Sequence, residues 1–419
     1  MELLRQSVLG RDFWAYGIDG NRGVGGSEDA HGVCDSDESD GGGGEAAATG
    51  VECSRGTGEK LKVKMKSEKS AVVSQVSVVG ARRDGHTIHA YFNTSPESPD
   101  GSSVLYFGSE DPEGHVGAVV MADRVTGEER AVAEGVETED AHRVACQQWC
   151  DSGRTIVYHD YRDGVWAVVE VDASSGDSRI LAMDRQVAWG SPNLSTVPLY
   201  GCHWDAAGFR DLELISTKSG QRETVVTARE TVNRYGDWIE RYFGATDVSI
   251  FFPILSPDGD RVVFKLALPG NGEFRSKGAS QREGLFCFDL KRRSFLYMLE
   301  RWGHPAWCPD SRSVLNTPNV IIDQNGASTP IAGLPAYPGS HPSVSPSGSH
   351  FVTDYRYEEG SGEHPWSIAV ARMDGSGWVR LHTFDQTGGA RSWRPPHPVY
   401  SADGRRVYFN ANDGAWTRL

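Results

Sequence analysis

Residues 391–409 read RSWRPPHPVYSADGRRVYF, and this stretch contains the pattern that decides the fold. A polar run with two arginines and a histidine leads into a short strand, Pro398 to Ser401. The turn Ala402-Asp403-Gly404 follows, and an apolar strand runs from Arg406 to Asn410. Because Asp and Gly in sequence favour a tight reversal, the stretch predicts a β-hairpin preceded by a polar segment.

The same turn recurs along most of the chain, each time before a strand of β-branched or aromatic residues. Its seven copies are centred on Asp100, Asp151, Asp205, Asp258, Asp310, Ser347 and Asp403. The six steps between positions 100 and 403 average about 50 residues, which is enough for four short strands. Four strands per repeat, arranged radially, are typical of a propeller blade. The sequence therefore predicts an all-β, seven-bladed β-propeller.

This propeller is predicted to span residues 70–419. Residues 1–69 are expected to be a disordered low-complexity extension, because Gly23 to Gly58 is too rich in Gly, Asp, Glu, Ser and Ala to bury much apolar surface. Since a propeller must close its ring, we expect Ala71 to Val79 to supply the missing outer strand of the last blade. One helix, Glu230 to Phe243, is predicted as an insertion from the helical spacing of its apolar residues.

Composition and charge exclude several classes of protein. A net charge of −15 argues against broad binding to nucleic acids or anionic membranes. The sequence has neither an apolar run long enough to span a membrane nor a secretory signal pattern, so we expect a cytoplasmic protein, and a monomer. Seven cysteines without a CxxC motif predict reduced, mostly buried thiols.

Histidines lie just before the predicted innermost strand in five of the seven repeats. They are His86 (with His89 close behind), His203, His304, His341 and His397. One interpretation is structural, because a histidine at this position can hydrogen-bond between strands of its own blade. The other is functional: three His-Pro pairs in consecutive repeats could converge on one point, and neutral imidazole is a common transition-metal ligand.

Basic residues accompany the histidines in the same predicted loops. They are Arg275, Lys277, Arg301, Arg391 and Arg394. In a chain with a net charge of −15, such residues indicate an anionic ligand, because guanidinium groups bind carboxylates in a bidentate manner. The alternative is a solvated surface.

Residues 86–419 resemble the oligogalacturonate lyase family, pectin-degrading enzymes built on a seven-bladed, TolB-like propeller. The segments that carry the resemblance are HTIHAYF (86–92), FRSK (274–277), WGHPAW (302–307), GSHPSVSP (339–346) and the stretch 391–409. The resemblance implies β-elimination by a histidine base with an arginine nearby, and a divalent metal ion, Mn²⁺, held by histidines and a glutamine.

Carried over by position, the resemblance implies that His304 is the base and Arg275 its partner. It implies His341 and His397 as metal ligands, with Gln386 as the nearest glutamine. An acidic oligosaccharide would then be bound by Arg391, Arg394, Lys277, His86 and His89.

The last loop departs from the family pattern. The family has a glutamine followed by a His-x-His pair, whereas this chain has Trp393-Arg394-Pro395-Pro396-His397. Proline replaces one histidine, so the metal site could be weak, altered or absent. Two functions therefore remain open. The first is a lyase acting on short oligogalacturonides or related uronic-acid oligomers, and the second is a non-catalytic propeller that binds a protein or a carbohydrate.

Overall fold

The computed structural model divides the chain into two units, Met1–Ser67 and Glu68–Leu419. It describes residues 76–80, 84–139, 141–201, 208–270, 281–334, 340–356, 366–384, 395–413 and 415–419, together with the backbone of five short strands before residue 71. The first unit contains two antiparallel pairs: β1 (Leu4–Val8) with β2 (Arg11–Ala15), and β3 (Cys53–Ser54) with β4 (Lys60–Leu61). Most of the predicted extension, residues 1–69, lies outside the described residues.

The second unit is a β-propeller, and its blades follow one another along the chain. After β5 (Lys69–Ser70), the first blade comprises β6 (His86–Ile88), β7 (Ser103–Ser109), β8 (Val116–Asp123) and β9 (Glu129–Glu137). The second comprises β10 (Gln148–Cys150), β11 (Thr155–Arg162), β12 (Val165–Asp172) and β13 (Ser178–Met183), with a short 3-10 helix at Asp151–Gly153. The third comprises β14 (Gln186–Val187), β15 (Thr196–Tyr200), β16 (Leu212–Ser216) and β17 (Arg222–Val226).

Three more blades repeat this antiparallel order. The fourth comprises β18 (Ser249–Leu255), β19 (Arg261–Ala267), β20 (Arg282–Asp289) and β21 (Ser294–Leu299). The fifth comprises β22 (Ala306–Trp307), β23 (Val314–Asn316), β24 (Val320–Ile322) and β25 (Ser328–Pro330). The sixth comprises β26 (Ser343–Val344), β27 (His350–Arg356), β28 (Trp366–Arg372) and β29 (Trp378–Phe384), and β5 pairs in parallel with β29.

The repeated turn has the geometry that the sequence predicts. At four Ser-containing copies the glycine amide donates to the carbonyl of the first turn residue, over 2.8 or 2.9 Å, as in Gly101 to Ser98 and Gly404 to Ser401. These glycines have positive φ values of 71–76°, which a side chain would strain. The aspartate in three of these copies accepts a hydrogen bond from the first serine. The turn therefore joins the first and second strands of its blade.

The number of blades corrects the prediction from the sequence. The described residues form six blades of four or more strands, not seven. The last repeat instead forms two separate hairpins, β30 (Val399–Tyr400) with β31 (Val407–Tyr408), and β32 (Ala411–Asp413) with β33 (Trp416–Arg418). Asparagine and aspartate are poor strand formers: Asn410 separates the two hairpins, and Asn412 and Asp413 lie in β32, which is only three residues long.

The two hairpins fill the space between the sixth blade and the first. On one side, β30 lies beside β26 and β27; on the other, β33 lies beside β6. The Val79 amide also donates to the Leu419 carbonyl over 2.7 Å. Of the strand expected from Ala71 to Val79, residues 71–75 lie outside the described residues. The described part, residues 76–79, forms this hydrogen bond but no strand.

The helical insertion is confirmed as α1 (Ala228–Phe243), between the third and fourth blades. Thr227 and Glu230 form a capping box at its start, and Gly244 ends it with a φ of 69°. Trp238, Ile239 and Phe243 are buried against the aromatic residues of the fourth blade. Within the described residues, no helix is both long and apolar enough to cross a membrane.

Candidate active site in the central channel

Four histidine rings meet where the loops before the inner strands converge. The ring centres of His304 and His341 are 4.6 Å apart, and those of His341 and His397 are also 4.6 Å apart. His142 lies 4.9 Å from His397. These residues come from the segments that lead into the fifth, sixth, seventh and second repeats, so residues far apart in sequence share one site.

Asp354 orients His341. Its Oδ2 atom lies 2.8 Å from Nδ1 of His341, and its Oδ1 accepts the His341 backbone amide over 2.9 Å. Both side chains are buried. Nδ1 therefore faces the carboxylate, which leaves Nε2 as the ring nitrogen for a ligand. A carboxylate behind an imidazole is the arrangement that commonly supports a metal ligand or a catalytic base.

His397 is buried and strained. Its φ is 46°, in the left-handed region that a residue other than glycine rarely adopts. Its Nδ1 and Nε2 atoms are both buried without a hydrogen-bond partner in the structure. Leaving a buried polar atom unsatisfied costs about 1–3 kcal/mol, so such an atom calls for an explanation. A bound ligand at these nitrogens is one that the neighbouring histidines support.

His304 retains some accessible surface although protein surrounds it. Its backbone amide donates to Oδ1 of Asn316 over 2.8 Å. Burial lowers its pKa well below the usual value, and the charges of His341, Lys265 and His142 lower it further. The ring is therefore neutral at pH 7 and can accept a proton.

Aromatic rings line the space beside the histidines. The Tyr91 ring is 4.5 Å from His397 and stacks on Trp189 at 5.3 Å, and the Phe92 ring is 5.3 Å from His341. Strained backbone is concentrated nearby, with a positive φ at Val144, Cys146 and Phe252. Strain of this kind persists only where the surrounding structure enforces it, and it is common at functional sites.

Two other predicted histidines, His86 and His89, differ in how close they lie to this cluster. His86 accepts the Thr417 amide at Nδ1 over 2.9 Å, and its Nε2 is 3.1 Å from the Pro112 carbonyl. Both its ring nitrogens are therefore engaged in the fold. His89 is fully buried beside the cluster, with Nε2 unsatisfied, and burial lowers its pKa to about 3. Its charged form also lowers the pKa of His397.

Six other predicted residues lie outside the described residues, so the structure does not place them. They are Arg275, Lys277, Gln386, Arg391, Arg394 and His203.

Sequence reasoning missed His142 and three basic residues of the same region, Arg143, Lys265 and Arg282. His142 and Arg143 lie six and five residues before β10, whereas His304, His341 and His397 each lie two residues before their strands, so the shared position in the repeat does not identify them. Lys265 and Arg282 lie within or at the start of strands, and no sequence signal distinguishes them from solvated residues. The free thiols of Cys146, Cys150, Cys287 and Cys308 are buried, as predicted.

Histidine is a suitable type of ligand for a divalent metal ion, but the described residues do not supply enough ligands for one. Imidazole is a common ligand of divalent metal ions, and the ring centres of His304 and His397 each lie 4.6 Å from that of His341. In the described part of the chain, however, no group of three or more His, Cys, Asp or Glu side chains is arranged to hold a metal ion. Gln386, the third predicted ligand, is not among the described residues.

Comparison with solved structures identifies the class of protein. An oligogalacturonate lyase in complex with manganese is 14% identical with a TM-score of 0.54, and the match covers 80% of this chain and 89% of that one. An oligogalacturonate lyase from Vibrio parahaemolyticus is 14% identical with a TM-score of 0.56, and the match covers 84% and 94% of the two chains. No protein-family model and no curated protein matches the sequence. At this identity the likeness shows the fold alone, so the chain is a β-propeller.

Proposed function

We propose that this propeller is a lyase that cleaves short oligogalacturonides, or related uronic-acid oligomers, by β-elimination. The observation that carries the proposal is the convergence of His304, His341 and His397 in one partly enclosed space. The likeness in fold to two oligogalacturonate lyases supports it. The expected metal is Mn²⁺.

In the proposed reaction, His304 removes the proton at C5 of the uronate. The electron pair of the C5–H bond forms the C4–C5 double bond, the C4–O bond breaks, and the leaving oxygen takes up a proton. The C5 proton is only weakly acidic, because it lies next to a carboxylate. His341 and His397 would hold a divalent ion, which when bound neutralises that carboxylate and so makes the C5 proton more acidic.

The low pKa of His304 suits a site that acts on an anion. In the unliganded protein the ring is neutral, so one of its two nitrogens carries no proton and can act as the base. A bound carboxylate favours the protonated ring and raises its pKa, so the base becomes stronger when the substrate arrives.

The test is to incubate the protein with digalacturonate and Mn²⁺ and to follow the ultraviolet absorbance of the unsaturated product. We expect product with the native chain and at least a 100-fold loss of rate in His304→Ala. His382→Ala is the matched control, because His382 lies on β29, outside the cluster, and its loss should leave the rate unchanged. If no uronide yields unsaturated product, the lyase proposal fails.

A second function, a non-catalytic binding propeller, is favoured by one observation: the described residues lack a three-ligand metal group. Elemental analysis of the purified protein separates the two proposals. Bound manganese supports the lyase, whereas a metal-free protein that binds uronides without cleaving them supports the binding propeller.

A further inference from the structure

Lys265 lies on β19, and its amino group lies near three aromatic rings. Its Nζ atom is 5.0 Å from the ring centre of Trp302, 5.3 Å from that of Phe252 and 5.4 Å from that of Phe251. Among the described residues it forms no salt bridge; the nearest carboxylate to affect it is that of Glu283. The side chain nevertheless keeps some accessible surface, so a small ligand can reach it.

Two guanidinium groups share the same pair of phenyl rings. Cζ of Arg143 is 5.4 Å from the ring centre of Phe252, and Cζ of Arg282 is 4.6 Å from that of Phe251. The two arginines come from the second and fourth blades, so the propeller brings three basic side chains together over one aromatic surface. We call Lys265, Arg143 and Arg282 the basic cluster.

The neighbouring carboxylates are already engaged in the protein. Glu139 forms a salt bridge of 3.0 Å with Arg143. Glu283 accepts the backbone amides of Trp302 and Gly284 with the same oxygen, Oε1. Burial, with the charges of Arg282 and Arg143, lowers the pKa of Lys265 well below its usual value. The aromatic rings and the charge of Glu283 therefore compensate the ammonium form only in part, and a bound anion would add to this.

The basic cluster adjoins the candidate base. Trp302, which covers the Lys265 amino group, is two residues from His304, and the charge on Lys265 lowers the pKa of His304. An anion held by Lys265 thus lies on the fourth-blade side of His304, and the His341–His397 pair lies on the side of the later repeats.

We propose that the basic cluster is a carboxylate-binding subsite, in which Lys265, Arg143 and Arg282 bind the carboxylate of an acidic sugar over the Phe251–Phe252 pair. This inference deepens the proposed function and shares its substrate class, but the binding does not require elimination. The ammonium and guanidinium groups form charge-assisted hydrogen bonds with the carboxylate, and the phenyl rings contact the apolar face of the sugar.

Titration calorimetry with galacturonate tests the subsite in the full chain, and galactose serves as the matched neutral sugar. We expect galacturonate to bind at least tenfold more tightly than galactose to the native protein. Lys265→Met should weaken galacturonate binding at least tenfold and leave galactose binding unchanged. Because the substitution replaces a partly compensated buried amine with an apolar chain, the variant should fold, and thermal unfolding verifies this. Lys291→Met is the surface control, since Lys291 is 75% exposed and should not affect binding.

Proton uptake distinguishes direct contact with the sugar from an indirect effect on structure. Repeating the titrations in buffers of different ionisation enthalpy measures the protons taken up on binding. The native chain should take up protons when it binds galacturonate. Lys265→Met should take up fewer protons, with a difference of up to one proton per galacturonate bound. Unchanged affinity and unchanged proton uptake in Lys265→Met would overturn the subsite.

The two proposals fail in different ways. If galacturonate binding depends on Lys265 but digalacturonate yields no unsaturated product, the result contradicts the lyase proposal and supports the subsite. If Lys265→Met forms product with the same KM as the native chain, the result supports the lyase proposal and contradicts the subsite.

Discussion

His341 and His397 have neighbouring rings but differ in how their nitrogens are used. Asp354 holds Nδ1 of His341 and leaves only Nε2 available to a ligand. His397 has neither nitrogen satisfied and a strained backbone. The fold alone thus orients the His341 ring, whereas both nitrogens of the His397 ring remain available to a ligand.

Asp354→Asn tests whether this orientation matters. With Oδ1 still accepting the His341 amide, the new NH₂ group faces Nδ1, so the proton of the neutral ring must lie on Nε2. We expect a 10- to 100-fold loss of Mn²⁺ affinity, measured by calorimetry, with about 1–3 kcal/mol lost from the free energy of unfolding.

Asp289→Asn is the control, because Asp289 is also buried and accepts a backbone amide, that of Arg292, at the far end of β20. It should destabilise the protein without changing metal affinity. Equal Mn²⁺ affinities in the native protein and Asp354→Asn would contradict the orienting role.

Burial of neutral histidines predicts a loss of stability in mild acid. The pKa of His89 is about 3 in the folded protein and close to 6.5 in the unfolded chain, so the unfolded chain binds the proton more readily below pH 6.5. The stability of the folded state is therefore complete above pH 6.5 and falls as the pH falls towards 3. The expected slope from this one residue approaches about 1.4 kcal/mol per pH unit.

His89→Gln should flatten this dependence between pH 6.5 and pH 4, as measured by urea unfolding at several pH values. His382→Gln is the comparison: His382 is only partly buried, so its loss should change the slope less. Parallel curves for the native protein and His89→Gln would show that His89 does not cause the acid sensitivity.

At the scale of elements, the last hairpins are held to the first blade by polar contacts. Glu97, fully buried, accepts two hydrogen bonds from Arg406, at 2.8 and 3.0 Å, and another from Tyr408. The side chain of Asn410 pairs with the amide and carbonyl of His89. These contacts substitute for the strand pairing that the short hairpins do not provide.

Glu97→Gln should lower the free energy of unfolding by about 1–3 kcal/mol, because Arg406 loses its buried charge partner and keeps only the more exposed Asp403, and one buried polar group is left unsatisfied. Chemical denaturation gives the measurement. Arg154→Ala is the matched control, since it breaks the Arg154–Asp151 salt bridge, in which the arginine is 66% exposed, and should cost less than about 1 kcal/mol. A Glu97→Gln protein as stable as the native one would show that the hairpins are held by other contacts.

At the scale of the whole molecule, ring closure determines the site. The amides of Thr417 and Leu419 donate to side chains of the first blade, His86 and Thr87, and Trp416 packs edge-on against the His86 ring at 4.9 Å. Opening the ring would separate the first blade from the last repeat, and with it Tyr91 from His397.

Deletion of residues 415–419 should therefore lower the unfolding temperature by roughly 10 °C. A chain that begins at Glu68 keeps β5 and should unfold at the same temperature as the full chain, because the sequence predicts that the residues removed belong to an extension outside the propeller. Differential scanning calorimetry compares the three proteins. A larger loss from the deletion of residues 1–67 than from that of residues 415–419 would reverse this assignment.

The sequence by itself determined the fold class, the turns, the helix and the presence of histidines before the inner strands. These features are local: an Asp-Gly turn or a capping box depends on a few consecutive residues. His304, His341 and His397 could be selected in advance because they share one position in the repeat.

The blade count, the structural use of His86 and the meeting of His142 and Lys265 with the cluster emerge from the tertiary structure alone. Each depends on which residues face each other once the ring closes, and such contacts join residues of different repeats. Lys265 in particular reads in the sequence like any lysine of an alternating strand. Its surroundings combine Phe251, Phe252 and Arg282 of its own blade with Arg143 and Trp302 from other segments of the chain.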